Sequence, residues 1–314
     1  MDKKIFDIIR KYKPEATKST IDSYVFYILK VCRDMGYAND DCKPSLFDDT
    51  KRVIELVSTQ SMNTQKTKIN AIVVYLKSTN HKEEIIEKYS FVIYKLLNKL
   101  RKDSDTMKWK PKEQDQLISI KELHLLVHKL KTELPASIDT ANDIQAYMDY
   151  IIIALVVQFP SRNDYADMKI VRSEEYEMND KEFNYLVLEK NKMKIILNKY
   201  KTMKTYGQID YEVDDKVLHN NVLKYYDGIE KYYKGKYKTF DGFLLFNIKN
   251  LEKLNRNQYT KYLQKLFENN VGKSISSSMI RKIITSSMVS PEFVEMAKKQ
   301  QHSTKEAMSS YVKF

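Results

Sequence analysis

Apolar residues recur at helical spacing through most of the chain and alternate through one short stretch near its middle. That pattern predicts a mainly helical protein with a small inserted sheet. Ile5, Ile8 and Ile9 suggest a short leading helix. Ile21, Tyr24, Val25, Ile28, Leu29 and Cys32 share one face of a longer helix that Gly36 is placed to stop. Ile69, Ile72, Val73 and Leu76 make a second stripe, with Thr64 a candidate N-cap. Ile85, Tyr89, Ile93 and Leu96 make a third, over about Glu83 to Arg101. Such stripes must pack against one another to leave water. Their opposite faces are rich in lysine, which suits a phosphate backbone and equally suits a solvated bundle.

Residues 103–116 are polar and charged and contain Pro111, which reads as a linker between a helical domain at 1–102 and a second domain at 117–314. The second domain opens with a helix carrying Leu123, Leu126, Val127 and Leu130. Tyr147 to Val157 follows, so apolar that it should lie at the domain centre. The period then changes. Phe183, Tyr185, Val187 and Glu189 alternate with their neighbours, as do Met193, Ile195, Leu197 and Lys199, with Asn191-Lys192 at a hairpin turn. Gln208 to Val213 is a candidate third strand. Helical spacing returns from Asp214. Ser290-Pro291 reads as an N-cap followed by proline at the first helical position. Ser303 and Glu306 form a candidate capping box that starts a last helix just after His302 and carries Tyr311. The expected fold is therefore mainly α with a small antiparallel β-sheet: an all-helical first domain and a mixed α/β second one.

Charge narrows the class of partner. The 314 residues carry a formal net charge of +12, with an isoelectric point near 9.2. A polyanion, nucleic acid above all, is the expected partner, although a lysine-rich solubilising surface would give the same balance. Cys32 and Cys42 suggest no disulfide framework and form no metal motif. His124 and His128 share a helix face without an evident third ligand, so no zinc site is expected. The longest apolar run, Ile151 to Val157, is far short of a membrane span, and Met-Asp-Lys-Lys-Ile-Phe lacks a signal-peptide core. A soluble intracellular protein with no membrane partner is expected. Scarce glycine beside abundant lysine, tyrosine, isoleucine and asparagine is the bias of AT-rich coding, as in a virus or mobile element.

Some residues together carry a chemistry that none carries alone. Cleaving a phosphodiester with a side chain needs a nucleophile, positive charge around the non-bridging oxygens and an acid for the departing hydroxyl, all shielded from water. Tyr311 is a candidate nucleophile, although it is one of 23 tyrosines. Arg162 follows the apolar run, and Arg281 lies on a helix about 20 residues before His302. Guanidinium groups match phosphate oxygens in pairs and never lose their charge. Lys201, with Lys204 as runner-up, lies beyond the hairpin and could supply the proton. Singly, Arg162 could cap a helix, Arg281 could be a solvated face residue, and His302 could bond locally. The order of the set and the nine-residue step from His302 to Tyr311 give it force.

On these residues the chain resembles the tyrosine recombinase (phage integrase) family over nearly its whole length. Asn63 to Lys77 is similar to part of the family's helical core-binding domain, and residues from about 117 resemble its catalytic domain. Phe159-Pro-Ser-Arg162-Asn-Asp164 resembles the first arginine box. Lys201-Thr-Met-Lys204-Thr-Tyr-Gly207 resembles the hairpin lysine, Ser278-Met-Ile-Arg281 the second box, and His302 with Tyr311 the third. Three departures stand out. Ser278 replaces the usual histidine or lysine, Asp164 comes two rather than three residues after Arg162, and Gln301 replaces the usual glycine.

The resemblance implies a site-specific DNA recombinase or integrase that cuts and rejoins double-stranded DNA through a 3′-phosphotyrosyl link, with no cofactor, metal or ATP. Tyr311 would be the nucleophile, Lys201 the general acid, and Arg162, Arg281 and His302 the groups that stabilise the phosphate. It implies four protomers on paired DNA sites, with weaker association or monomers in the absence of DNA, and the host cytoplasm or nucleus as the setting if the source is viral. Three residues follow Tyr311, where many relatives carry a further segment that docks on a neighbour. Two alternatives share the residue set or part of it: a type IB topoisomerase that relaxes DNA as a monomer, and a DNA-binding relative whose catalysis has decayed.

Overall fold

The computed structural model describes residues 3–105, 109–176, 180–234 and 240–289. The chain divides into two compact units, Met1–Lys108 and Trp109–Phe314.

The first unit is all helical: α1 (Lys3–Tyr12), α2 (Lys18–Asp34), α3 (Thr50–Ser58), α4 (Met62–Ser78) and α5 (Glu83–Asp105). The stripes read from the sequence become its core, since Ile5, Ile9, Ile21, Val25, Ile28, Ile69, Ile72, Leu76, Ile85 and Tyr89 are all buried. α4 is central and packs against α1, α2, α3 and α5. Its N-cap is Ser61 rather than Thr64. Thr64 stands three residues inside and donates its amide to Ser61 Oγ at 3.4 Å. Either hydroxyl could cap a helix, and the chain begins its turn one position before Met62. Gly36, at φ +92°, ends α2 where a side chain would be strained.

The cysteines depart from expectation, because Cys32 and Cys42 form a disulfide. Two single-turn 3₁₀ helices, Asn39–Asp41 and Pro44–Phe47, fold the chain back after α2. They bring the two Cα atoms to 5.9 Å, a bridging distance that sequence spacing does not reveal. Tyr75 and Tyr89 pin the same segment by donating their hydroxyls to the carbonyls of Cys42 and Phe47.

The second unit opens with α6 (Pro111–Gln114) and α7 (Ile120–Thr132), the latter started by a Ser119–Glu122 capping box. Trp109 packs on this unit's core, and Glu113 of α6 pairs with Lys282. α8 (Ala141–Gln158) is the predicted central helix. It is buried from Tyr150 through Val157 without interruption and is flanked by α7, α10 (Lys216–Tyr233) and α12 (Ser277–Ser287). Between α8 and α10 stand β1 (Lys169–Arg172), β2 (Tyr185–Leu188), β3 (Met193–Leu197), α9 (Met203–Tyr206) and β4 (Ile209–Val213). α11 (Arg256–Val271) precedes α12.

The sheet, in order β1-β2-β3-β4, is mixed rather than antiparallel. β2, β3 and β4 form the expected meander, with Leu188 opposite Met193 across the 189–192 turn. β1 adds in parallel to β2, pairing Lys169 with Tyr185. A parallel pair needs a crossover of a dozen or so residues, and residues 173–184 supply one. The alternation in β2 and β3 says nothing about that added strand's direction.

Ser290-Pro291, the Ser303–Glu306 capping box and the last helix lie outside the described residues. Among the described residues no helix is long and apolar enough to cross a membrane.

One buried charge offers a check on the first unit. Lys68, on α4, is 1% exposed and pairs with Asp34 Oδ2 at 3.0 Å. Asp34→Asn should leave the ammonium without its counter-charge and cost roughly 1–3 kcal/mol. Lys68→Met, which removes the buried charge altogether, should cost less. Urea unfolding of the two variants against the parent checks that ranking.

Candidate functional site

The site begins where α8 stops. Pro160 bars a further helical turn and keeps Phe159 out of the helical region (φ −127°, ψ 79°). The Tyr165 hydroxyl, almost wholly buried, donates to Phe159 O at 2.7 Å and ties the exit loop down. Arg162 therefore stands exposed on a short, braced loop. Its amide donates to Asp164 Oδ2 at 3.2 Å.

Two asparagines brace that loop from either side. Asn163 Nδ2 donates to Thr260 Oγ1 on α11 at 3.1 Å, while its Oδ1 accepts from Ser277 Oγ on α12 at 2.9 Å. Asn184, buried just before β2, donates from Nδ2 to Asp164 O at 2.9 Å and to Lys199 O at 3.1 Å. Its Oδ1 accepts from the amides of Asn198 and Lys199 at 2.9 and 2.8 Å. One amide side chain thus joins the Arg162 loop to the strand end that leads into Lys201.

Arg281 approaches from α12, whose N-cap is Ser276. Arg162 and Arg281 line one cavity of about 390 Å³ with Asp164, Tyr165, Tyr200 and Tyr211. Arg281 Nη2 donates to Ser278 Oγ at 3.3 Å. Its Nε is buried and has no hydrogen-bond partner among the described residues. Burial, and then the Arg162 charge, pull Arg281 below the ordinary arginine value, while Asp164 opposes them. The side chain stays a cation all the same.

Burial raises Asp164 above the ordinary carboxylate range. The Arg162 amide and then the charges of Arg256, Arg162 and Arg281 pull the other way. One buried carboxylate thus lies within electrostatic reach of three guanidinium groups, two of which line the cavity with it and leave it an excess of positive charge. A tetrahedral anion with several oxygens is what such a pocket can take.

Lys201 and Lys204 are both exposed on the β3–β4 connection. Tyr200 fixes that connection by donating its hydroxyl to Gly207 O at 2.7 Å. Gly207 adopts φ +70° and ψ −160°, a conformation that needs glycine. Neither lysine lines the cavity, although Tyr200, next to Lys201, does. Ser278 is exposed beside Arg281. His302, Tyr311 and Gln301 lie outside the described residues. Among the described residues no group of three or more His, Cys, Asp or Glu side chains could hold a metal.

Sequence patterns did not point to Asn163, Asn184, Ser277, Thr260 or Arg256. Only Arg256 left a signal, because Asn255 and Gln258 form a capping box that places it at the first turn of α11.

No protein-family model matches the chain, and no curated protein matches it. Among solved structures, it is similar to a crystal structure of XerA recombinase at a TM-score of 0.35 and 11% identity, covering 99% of this chain and 94% of that one. A likeness at that level carries no argument about fold or function.

Asn184 provides the test of how the site is assembled. Asn184→Ala should strand two amides and two carbonyls in a buried setting, costing about 1–3 kcal/mol for each group that water cannot reach. Chemical denaturation measures the loss. Hydrogen exchange should show the Asn198 and Lys199 amides losing protection before those of β3 do.

Proposed function

We propose that this protein cuts and rejoins DNA through a tyrosyl intermediate, as a site-specific recombinase. The observation that carries the reading is the meeting of Arg162 and Arg281 on one cavity. They come from segments far apart in the second unit, and they are the two arginines that the order of residues along the chain pairs. A pocket with two guanidinium groups and a desolvated, unsatisfied Nε suits the non-bridging oxygens of a phosphodiester as charge gathers on them.

In this reading the Tyr311 oxygen attacks phosphorus and gives up its proton to water. A phosphorus–oxygen bond to Tyr311 forms as the bond to the 5′ oxygen breaks. Lys201, at the tip of the β3–β4 connection, protonates that leaving oxygen. Arg162, Arg281 and His302 hold the pentavalent charge. A 5′-hydroxyl from a partner strand then attacks the 3′-phosphotyrosyl link and returns tyrosine, so the bond energy is conserved and no ATP is consumed. Ser278 adds a neutral hydroxyl where a basic group would be expected, and it touches Arg281 rather than replacing it. Double-stranded DNA is the partner, with four protomers on paired sites as the working assembly.

The test is a nicked duplex that traps the covalent product. The parent protein should give an adduct on a denaturing gel, and Tyr311→Phe should give none. Arg162→Ala and Arg281→Ala should each slow its formation by about 10²–10³-fold, the effect of losing one transition-state donor. Replacing the 5′ bridging oxygen with sulfur removes the need for a proton, because a thiolate is a far better leaving group. That substrate should rescue Lys201→Ala and leave the arginine variants slow; rescue of Lys204→Ala instead would transfer the acid role. Salt-sensitive DNA binding with no adduct would favour a decayed DNA-binding protein. Relaxation of plasmids of unrelated sequence would favour a topoisomerase.

A further inference from the structure

On the sheet of the second unit, three lysines from separate segments converge on two phenylalanines. Lys169 opens β1, Lys199 follows β3, and Lys253 lies on the loop whose bridge to Phe246 precedes α11. Their Nζ atoms stand 4.6, 5.7 and 5.1 Å from the centre of the Phe183 ring. Lys169 and Lys253 also lie 5.4 and 5.3 Å from Phe243. The two rings meet edge to face at 5.5 Å. Lys199 and Lys253 are exposed, and Lys169 is half-buried.

This arrangement is costly without a partner. Three ammonium groups around one ring repel one another, and at an exposed site a ring face offsets only a small part of that repulsion. Among the described residues none of the three forms an ion pair. The one carboxylate shown to feel their charge is Asp180, which is already engaged. It accepts from the Tyr185 hydroxyl and from the Glu182 amide at 2.7 Å, and lies within electrostatic reach of Lys169 and Lys199. Local positive charge is left over and faces solvent.

The cluster lies on the other face of the sheet from the cavity: Phe183 packs with Tyr185, Val187 and Ile196, whereas Ile195, Leu197, Ile209 and Tyr211 line the cavity. Lys199 precedes Tyr200, whose ring lines the cavity. Asn184, next to Phe183, bonds both the Arg162 loop and the Lys199 backbone.

We infer that Lys169, Lys199 and Lys253, held on the Phe183–Phe243 pair, form a backbone-binding site for duplex DNA. The inference rests on the DNA-cleaving reading for the identity of its ligand. The rings hold the ammonium groups in place, so that less side-chain freedom is lost when phosphates arrive. The site takes no part in bond breaking and reads no bases, since phosphate contacts carry no sequence information.

The experiment compares the parent with Lys169→Gln/Lys199→Gln/Lys253→Gln in duplex binding across a salt series and in adduct formation at saturating DNA. Each phosphate that the variant no longer neutralises should flatten the slope of log affinity against log salt by about 0.9. The variant should bind about tenfold or more weaker at low salt, with its saturated cleavage rate unchanged. An unchanged slope and affinity in a folded variant overturns the inference. If the triple variant does not fold, Lys199→Gln and Lys253→Gln at the two exposed positions carry the same test. A parent that makes no adduct, but whose salt slope for duplex binding flattens in the variant, sinks the strand-cleaving reading and keeps this site.

Discussion

The second unit depends on the burial of α8 on every side. A helix with an apolar face on one side can slide or roll against its neighbours. One that is buried from Tyr150 through Val157 without interruption has no direction in which to move without opening a void. α7, α10 and α12 pack around it. Its C-terminal end is consequently a fixed point, and Pro160 turns the chain there into the loop that presents Arg162. Arg281 rides on α12, one of the helices packed against that rod. The two guanidinium groups are brought to one cavity by the packing of apolar residues along the buried helix, most of which lie well away from it.

The same packing explains the charge distribution. Within electrostatic reach of three arginines there is one buried aspartate, and desolvation works against its ionised form. A pocket stabilised for its own sake would balance its charges. This one holds an excess of cations close together, with a guanidinium nitrogen buried and unmet among the described residues. Such a site suits an anion.

Much of this was legible in the sequence, for reasons that can be stated residue by residue. The run Ile151 to Val157 can only be an interior element, and the stripe Ile69, Ile72, Leu76 can only face a partner. Alternation marked β2 and β3 because each must present opposite faces to different surroundings. Direction and proximity were not legible. The parallel addition of β1 depends on where a crossover lands, and the Cys32–Cys42 bridge on how two short turns fold back. Arg162 and Arg281 could be singled out because their chemistry is rare and their order informative. Asn163 and Asn184 could not, because a lone asparagine in a loop looks the same whether it faces water or joins three segments. Their importance exists only in three dimensions.

Those two asparagines have a consequence of their own. Both are neutral amides that neither gain nor lose protons, and their hydrogen bonds feel dissolved ions only weakly. A cation-rich pocket propped by carboxylates would loosen as salt rose or pH fell. Asn163 and Asn184 keep their bonds through such changes, whereas the bond from the Arg162 amide to Asp164 weakens once that carboxylate takes up a proton. Grip and geometry are thereby separated: dissolved ions screen the charge of the pocket and leave these amide braces in place.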